Sequence, residues 1–400
     1  MESKHDYVIV GGGLAGASAI EGIRQRDQNG SILLLAREPH FPYDRPPLSK
    51  QLWFGKKKLE EIYLHNEGWY AANNVELQLG RTVARLEPTS RVVVDDLGNR
   101  HLARKVLLAT GGAPRHLDIP GGGLDNVCYY RTLDDYSQIK ALANKNASAV
   151  VIGGGFIGSE IAAALSHAEV MVTMIFPDPY LCHRVFPPAL GRFLQQQYRQ
   201  RDVRILDGDV PASISAKDRR FVTSTRNGAQ IESNIVIAGV GIQPSVELAK
   251  SGGLSISDGI IVNDRLQTSH PDIFAAGDNA LFPYAALGRS SRVEHWDNAL
   301  MQGRHAGYNM AGADEPYLHM PYFFSDLFEF GYEAVGEIDA RLETFADWQE
   351  ENRRGVIYYL KEGRVRGAMM CDVWGKVDEA RQLIRKDAQV SLSDLRGAIR

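Results

Sequence analysis

The sequence predicts an α/β fold: two Rossmann-like nucleotide-binding domains followed by a C-terminal α+β domain. Two glycine fingerprints and a change of pattern near the C-terminus carry that prediction. Val8-Ile9-Val10 runs into Gly11-Gly12-Gly13-Leu14-Ala15-Gly16, and Val150-Val151-Ile152 runs into Gly153-Gly154-Gly155-Phe156-Ile157-Gly158. Each is G-x-G-x-x-G placed directly after an apolar strand and opening a helix. The glycines allow a tight turn and close backbone approach to a pyrophosphate, whose charge rests on the helix N-terminus. A single such motif is weak evidence; two in strand–turn–helix context, in one chain, imply two bound dinucleotides and electron passage between them.

The elements follow in order. Asp6–Val10, a helix from Leu14 to about Arg26, and Ile32–Leu35 form the first β-α-β unit. Glu38 follows Gly16 at about the twenty-residue spacing where an acid meets a ribose hydroxyl. Lys105–Ala109 is a further apolar strand ending in Thr110-Gly111-Gly112, and Pro114, Pro120 and Gly121–Gly123 read as a crossover. Thr132 with Asp135 is a capped helix start. The second β-α-β unit runs from Val150 to Phe176. Arg226-Asn227-Gly228 is a hairpin turn, and Ile235–Val240 closes the second domain. Ile273–Ala276 is a strand ending in Gly277-Asp278. Val356–Leu360 and Val365–Met370 form a hairpin, a helix follows from about Lys376, and Asp347–Arg354 reads as a short polar link. The expected division is 1–119 with 253–318, then 120–252, then 319–400.

Composition excludes several classes. The chain has 400 residues, 44% hydrophobic and 24% charged, with a net charge of −4. This is ordinary for a globular protein and argues against a broad nucleic-acid surface, which is normally basic. No apolar run approaches the ~20 residues of a membrane span. Met1–Asp6 enters the first strand at once, so neither signal nor transit peptide is expected. Cys128, Cys182 and Cys371 are far apart, as in a reducing cytoplasm, and form no C-x-x-C.

Several further stretches resemble the two-dinucleotide flavoprotein reductases, the superfamily of ferredoxin, rubredoxin and putidaredoxin reductases, and within it most of all the apoptosis-inducing factor family. They are Pro42-Tyr43-Asp44-Arg45-Pro46-Pro47-Leu48-Ser49-Lys50, Ala109–Gly112, Gly153–Glu160, Val246–Lys250, Ala276-Gly277-Asp278, Arg292–His295 and Gly331–Gly336. They span nearly the whole chain in the family's order.

The resemblance implies FAD at the first fingerprint and a nicotinamide at the second. Gly13 and its neighbours then meet the FAD pyrophosphate, and Arg45, Thr110 and Arg131 fall at flavin-contact positions. Lys50 stands close to the isoalloxazine, Val83 reaches the adenosine half through its backbone, and Asp278 binds the ribityl chain. His295 and Trp296 line the flavin. Gly154–Ile157, Asp178, Arg184, Gly241, Glu294 and His295 take the nicotinamide positions. This sequence departs from the pattern in four respects. Arg37 occupies one of two acidic positions, leaving Glu38. Cys371 stands where relatives place a flavin-facing tryptophan, with Trp374 one helical turn on as the replacement. Neither the long regulatory insertion nor the mitochondrial leader of apoptosis-inducing factor is expected.

Lys50 and Glu160 are the expected catalytic pair. A cation stabilises the negative charge left on a reduced ring, and a carboxylate holds that cation in place. Two readings of Phe156 stand: a cover for the flavin face, or a core aromatic. Two also stand for His295: a donor and proton source at the cofactors, or a structural histidine, since hydride transfer needs no general acid. Trp69 edges the active site or packs in the core. Lys56-Lys57-Lys58 reads as a solvated run before a docking patch, and Cys128 and Cys182 as inert packing residues. Phe41–Gly55 contains no cysteine, so electrons on the flavin must leave to an external acceptor: a ferredoxin-like protein, a quinone or a dye. The alternative is a binding protein whose reduced flavin–NAD complex controls dimerisation and partner recruitment. Asp178 follows Gly158 at the spacing of a ribose acid, which favours NADH over NADPH, although it lies beyond Phe176-Pro177 and Arg184 is near enough to meet a phosphate.

Overall fold

The computed structural model describes residues 1–218 and 220–400. It divides into two compact units, each assembled from separate stretches of chain. The first comprises Met1–Asp44, Glu60–Ala113 and Gln243–Phe323; the second Arg45–Leu59, Pro114–Ile242 and Phe324–Arg400.

The first unit is built on a seven-stranded sheet. Val75–Leu79, Ile32–Ala36, Glu2–Val10 and Arg100–Leu108 lie side by side, and Ile273–Ala275 also pairs with Arg100–Leu108. These neighbours are parallel. Val92–Asp95 and Val83–Glu87 extend the sheet as antiparallel strands. Ile32–Ala36 is buried at all five positions, the continuous apolar run of a strand covered on both faces. The helix Leu14–Arg24 packs closely against Trp296–Met310. Gly303 and Gly307 permit that approach, because a Cβ on either would stand 2.2 and 2.0 Å from the carbonyl oxygens of Ala15 and Ala19.

Among the described residues, the second unit carries three sheets. Arg204–Asp207, Met171–Phe176, Ser148–Ile152, Ile235–Ala238 and Val127–Cys128 form an all-parallel sheet in that order. Pro211–Lys217, Arg220–Thr225 and Gln230–Ser233 form an antiparallel sheet whose Ile214, Phe221 and Ile231 pack on Val150, Ile152 and Val236. The Arg226-Asn227-Gly228 turn joins its last two strands, with Gly228 at φ 86°. A five-stranded antiparallel sheet completes the unit, in the order Tyr322–Leu327, Phe330–Gly336, Arg364–Cys371, Arg354–Lys361 and Glu343–Glu350. Val377–Arg385 packs on its second and third strands.

Two expectations need correction here. Asp347–Arg354 is not a link: Asp347–Glu350 belongs to the strand Glu343–Glu350, and the next strand starts at Arg354. That strand is the sheet's edge and mostly exposed, so it carries polar residues where an inner strand would be apolar. The segment from Asp372 to Lys376 is irregular, so Trp374 does not lie a helical turn beyond Cys371. Cys371 ends a strand and is fully buried; Trp374 is about half exposed.

Candidate active site

The two fingerprints repeat one geometry. Gly11 and Gly153 take φ of 123° and 119°, a region closed to other residues without strain. A Cβ on Gly16 would stand 2.0 Å from the Gly11 carbonyl oxygen, and one on Gly158 would stand 2.1 Å from that of Gly153. Gly12 abuts Ala36 and Gly154 abuts Phe176, the last residues of their neighbouring strands. Glu38 and Asp178 each lie two residues beyond those strand ends, so the two acids occupy equivalent positions in the two folds.

Both helix starts are open. Gly13 caps Leu14–Arg24 and Gly155 caps Phe156–His167, with no side-chain cap and no acid in either first turn. Asn66, Thr132 and Ser391 cap other helices with their side chains. Among the described residues, a Cβ on Gly13 or Gly155 would meet nothing within 4 Å. Uncapped amides facing open space at a dipole's positive end fit an anionic pyrophosphate at each site. Behind the first fingerprint, Asn279 is fully buried; its Nδ2 donates to the Leu108 carbonyl and to Thr110 Oγ1, while its Oδ1 has no protein partner. A buried orphan acceptor fits a polar ligand or water there.

Within the first unit, Glu38 accepts from the Tyr43 hydroxyl at 2.5 Å. The Trp296 indole donates to Asp44 at 2.8 Å. Asp278 is half-buried, and Arg292 donates to its carbonyl at 3.1 Å while also pairing with Glu294 and Asp258. His295 precedes the helix Trp296–Met310 and stacks on Phe323 at 4.2 Å. Burial pushes its imidazole down to about 4, against the pull of Asp278 and Asp297. Burial thus favours the neutral form of the ring. Val83 starts a strand paired with Asp95. Trp69 stacks on His65 at 3.6 Å.

The second unit holds a buried charge cluster. Lys50 Nζ lies 3.2 Å from Glu160 Oε1, and both side chains are under a tenth exposed. Asp326, half-exposed, is 4.0 Å from the same ammonium, and the Phe324 ring is 4.9 Å away. The Ser49 hydroxyl donates to Glu160 Oε2 at 2.6 Å and the Ser325 hydroxyl to Oε1 at 2.5 Å. The loop bearing Lys50 is anchored from below: Tyr130 donates to the Leu48 carbonyl and accepts from the Trp53 indole at 3.2 Å, and Arg45 donates to the Arg131 carbonyl at 2.7 Å. Ser325 stands in no sequence motif, and Ser49, though within the Pro42–Lys50 stretch, has nothing there that singles out its hydroxyl.

Around the second fingerprint, Phe156 is half-buried and Ile157 exposed, so Phe156 does not sit in the closed core. Asp178 is 3.4 Å from His183, Arg184 is exposed, and the Gly241 carbonyl accepts from the Arg115 amide at 2.9 Å. Trp374 lies over Gly331 and donates to Asp372 at 3.2 Å. Cys128, Cys182 and Cys371 are all buried and unpaired, and burial pushes the first two thiols up to about 12 and the third higher. None is a thiolate near neutral pH.

Residues 5–303 match the pyridine nucleotide-disulphide oxidoreductase family, and residues 306–354 match the mitochondrion-associated C-terminal domain of apoptosis-inducing factor. Apoptosis-inducing factor 1 of Dictyostelium discoideum is 31% identical over 98% of this chain and 81% of that protein. Putidaredoxin reductase of Pseudomonas putida is 34% identical over 84% of this chain and 81% of that protein. Among solved structures, the covalent putidaredoxin reductase–putidaredoxin complex superposes with a TM-score of 0.91 at 30% identity, covering 98% of this chain and 95% of that one. The chain belongs to the pyridine nucleotide-disulphide oxidoreductase family and is an FAD-dependent NAD(P)H oxidoreductase, similar to both apoptosis-inducing factor and the ferredoxin reductases.

Proposed function

We propose that this protein oxidises NADH and delivers the electrons singly to a ferredoxin-like protein. A bound flavin would supply the chemistry that converts a two-electron hydride donor into single-electron delivery. NADH leaves as NAD⁺, two one-electron acceptors are reduced, and a proton is released. The observation that carries the reading is the pair of uncapped glycine-turn helices in one chain, together with three buried, separated thiols. Without an accessible dithiol the electrons have no internal stop. The names of two relatives, putidaredoxin reductase and an anthranilate 1,2-dioxygenase ferredoxin–NAD⁺ reductase component, support the ferredoxin-like acceptor.

In this reading Gly11–Gly16, Glu38, Arg45, Val83, Thr110, Arg131, Asp278, His295, Trp296 and Trp374 would hold FAD. Gly153–Gly158, Asp178, Arg184, Gly241 and Glu294 would hold the nicotinamide coenzyme, with Phe156 over the site. Lys50 would supply positive charge, and Glu160 would hold Lys50. Asp178 favours NADH, because its carboxylate repels a 2′-phosphate. The match of residues 306–354 to apoptosis-inducing factor supports a second reading, a dimerisation switched by the reduced state.

Rapid mixing distinguishes these. The NADH-reduced protein should be reoxidised within seconds by a [2Fe–2S] ferredoxin and far more slowly by air. Slow reoxidation by every ferredoxin tried, with NADH-dependent dimerisation in light scattering, would support the second reading.

A further inference from the structure

We infer that Ser325 is a positioning residue for flavin reduction, one of two hydroxyls that hold the Glu160 carboxylate in place beside Lys50. The inference rests on the proposed role of the Lys50–Glu160 pair.

An ionised carboxylate only accepts hydrogen bonds. Glu160 accepts on both oxygens: Ser49 donates to Oε2 at 2.6 Å, and Ser325 donates to Oε1 at 2.5 Å. Ser49 also lies 3.4 Å from the Pro46 carbonyl, so its single proton goes to the nearer carboxylate. Lys50 Nζ reaches the same Oε1 at 3.2 Å. Ser325 is 2% exposed and Ser49 5%, so water does not compete for either. Hydrogen bonds to the charged form favour that form and oppose the burial that would neutralise it.

Besides Lys50, a thiol and two phenols feel the Glu160 charge. The Cys182 thiol, from the loop beyond Asp178, feels Glu160 and is pushed up to about 12 by burial. Tyr198, on the helix Pro188–Arg199, and Tyr332, on the strand Phe330–Gly336, feel it too, and burial holds both phenols well above their ordinary value. All three stay neutral in the working range. Asp326 faces Lys50 but is half-exposed and 4.0 Å off. Ser325 thus ties the C-terminal sheet to the charge state of the pair: its strand, Tyr322–Leu327, also brings Phe324 and Asp326 to the ammonium.

Removing the Ser325 hydroxyl takes away one of the two hydroxyl donors that favour the charged carboxylate. The carboxylate would then protonate as pH falls, and Lys50 would lose its counter-ion. The test is anaerobic stopped-flow reduction of the FAD holoenzyme by NADH from pH 5.5 to 9, on wild type, Ser325→Ala, Ser325→Thr, Ser49→Ala and Lys50→Met, each first shown to retain flavin. Ser325→Ala should slow reduction about tenfold at the acid end, as expected for one hydrogen bond to a charge, and recover as pH rises. Ser49→Ala should shift the profile the same way, and Ser325→Thr should restore it. A Ser325→Ala profile parallel to wild type at every pH, at equal or uniformly lower rate, would overturn the inference. Lys50→Met separates the two claims. If it reduces as fast as wild type, the role of the pair fails. If it is slow while Ser325→Ala keeps the wild-type profile, only the clamp fails.

Discussion

Lys50 is a lysine whose ammonium is almost entirely out of water, beside an aromatic face and a carboxylate that two hydroxyls hold. Such a pair is poor evidence for stability, because desolvation offsets the attraction, and that makes a functional reason for keeping it more persuasive. Lys50→Ala and Glu160→Ala should each slow flavin reduction by NADH more than tenfold, with the double variant losing less than the product of the two, as expected of groups acting as one unit. Strictly multiplicative losses in transient kinetics would show that the pair does not act together. Asp178→Asn should narrow a preference for NADH of about tenfold or more in kcat/KM, since a carboxylate beside a phosphate costs several kcal/mol. Equal efficiency with NADH and NADPH in the unmodified protein would remove Asp178 from the ribose. His295, neutral down to about 4, should contribute no inflection to the reduction rate between pH 5.5 and 8.

At the scale of elements, what could be read in advance was whatever has a local physical cause. The Thr132–Asp135 capping box starts a helix because its two reciprocal bonds are a short-range property. The hairpin around Lys361–Arg364 formed because Glu362 and Gly363 take left-handed conformations between two β-rich runs. The strand Glu343–Glu350 is not legible because edge strands are polar by necessity, and nothing local marks the irregular turn that carries Trp374. Ser325 is not legible at all: its hydroxyl meets Glu160 from a strand far along the chain. Asp272 is a similar long-range contact. It bonds Lys105 at 2.6 Å and Arg91 at 3.0 Å, pinning the start of Ile273–Ala275 to the central sheet. The Lys105 hydrogen bond is the main reason its carboxyl titrates below the ordinary range. A depressed carboxylate stabilises the fold above its unfolded pKa, and that contribution is lost as pH falls through the folded value. Asp272→Asn should therefore cost about 1–2 kcal/mol at pH 7, with the gap to wild type closing in acid. Urea unfolding at pH 7 and pH 3 checks this; a gap that persists undiminished at pH 3 would exclude the ion pair as its source.

For the whole molecule, the proposed chemistry runs between nicotinamide and flavin with no thiol between them. Replacing Cys128, Cys182 and Cys371 by serine, one at a time, should leave dye-linked turnover within a few-fold, since none is an accessible thiolate. Loss of hydride transfer in any one would bring sulfur back into the mechanism. The most direct measurement is the simplest: the visible spectrum of the purified protein, before and after anaerobic NADH. A yellow protein is predicted, with about one FAD per chain released only on denaturation, and with its flavin absorbance bleached by NADH. A colourless protein that cannot be reconstituted with FAD, or a bound flavin that neither NADH nor NADPH reduces, would contradict the account.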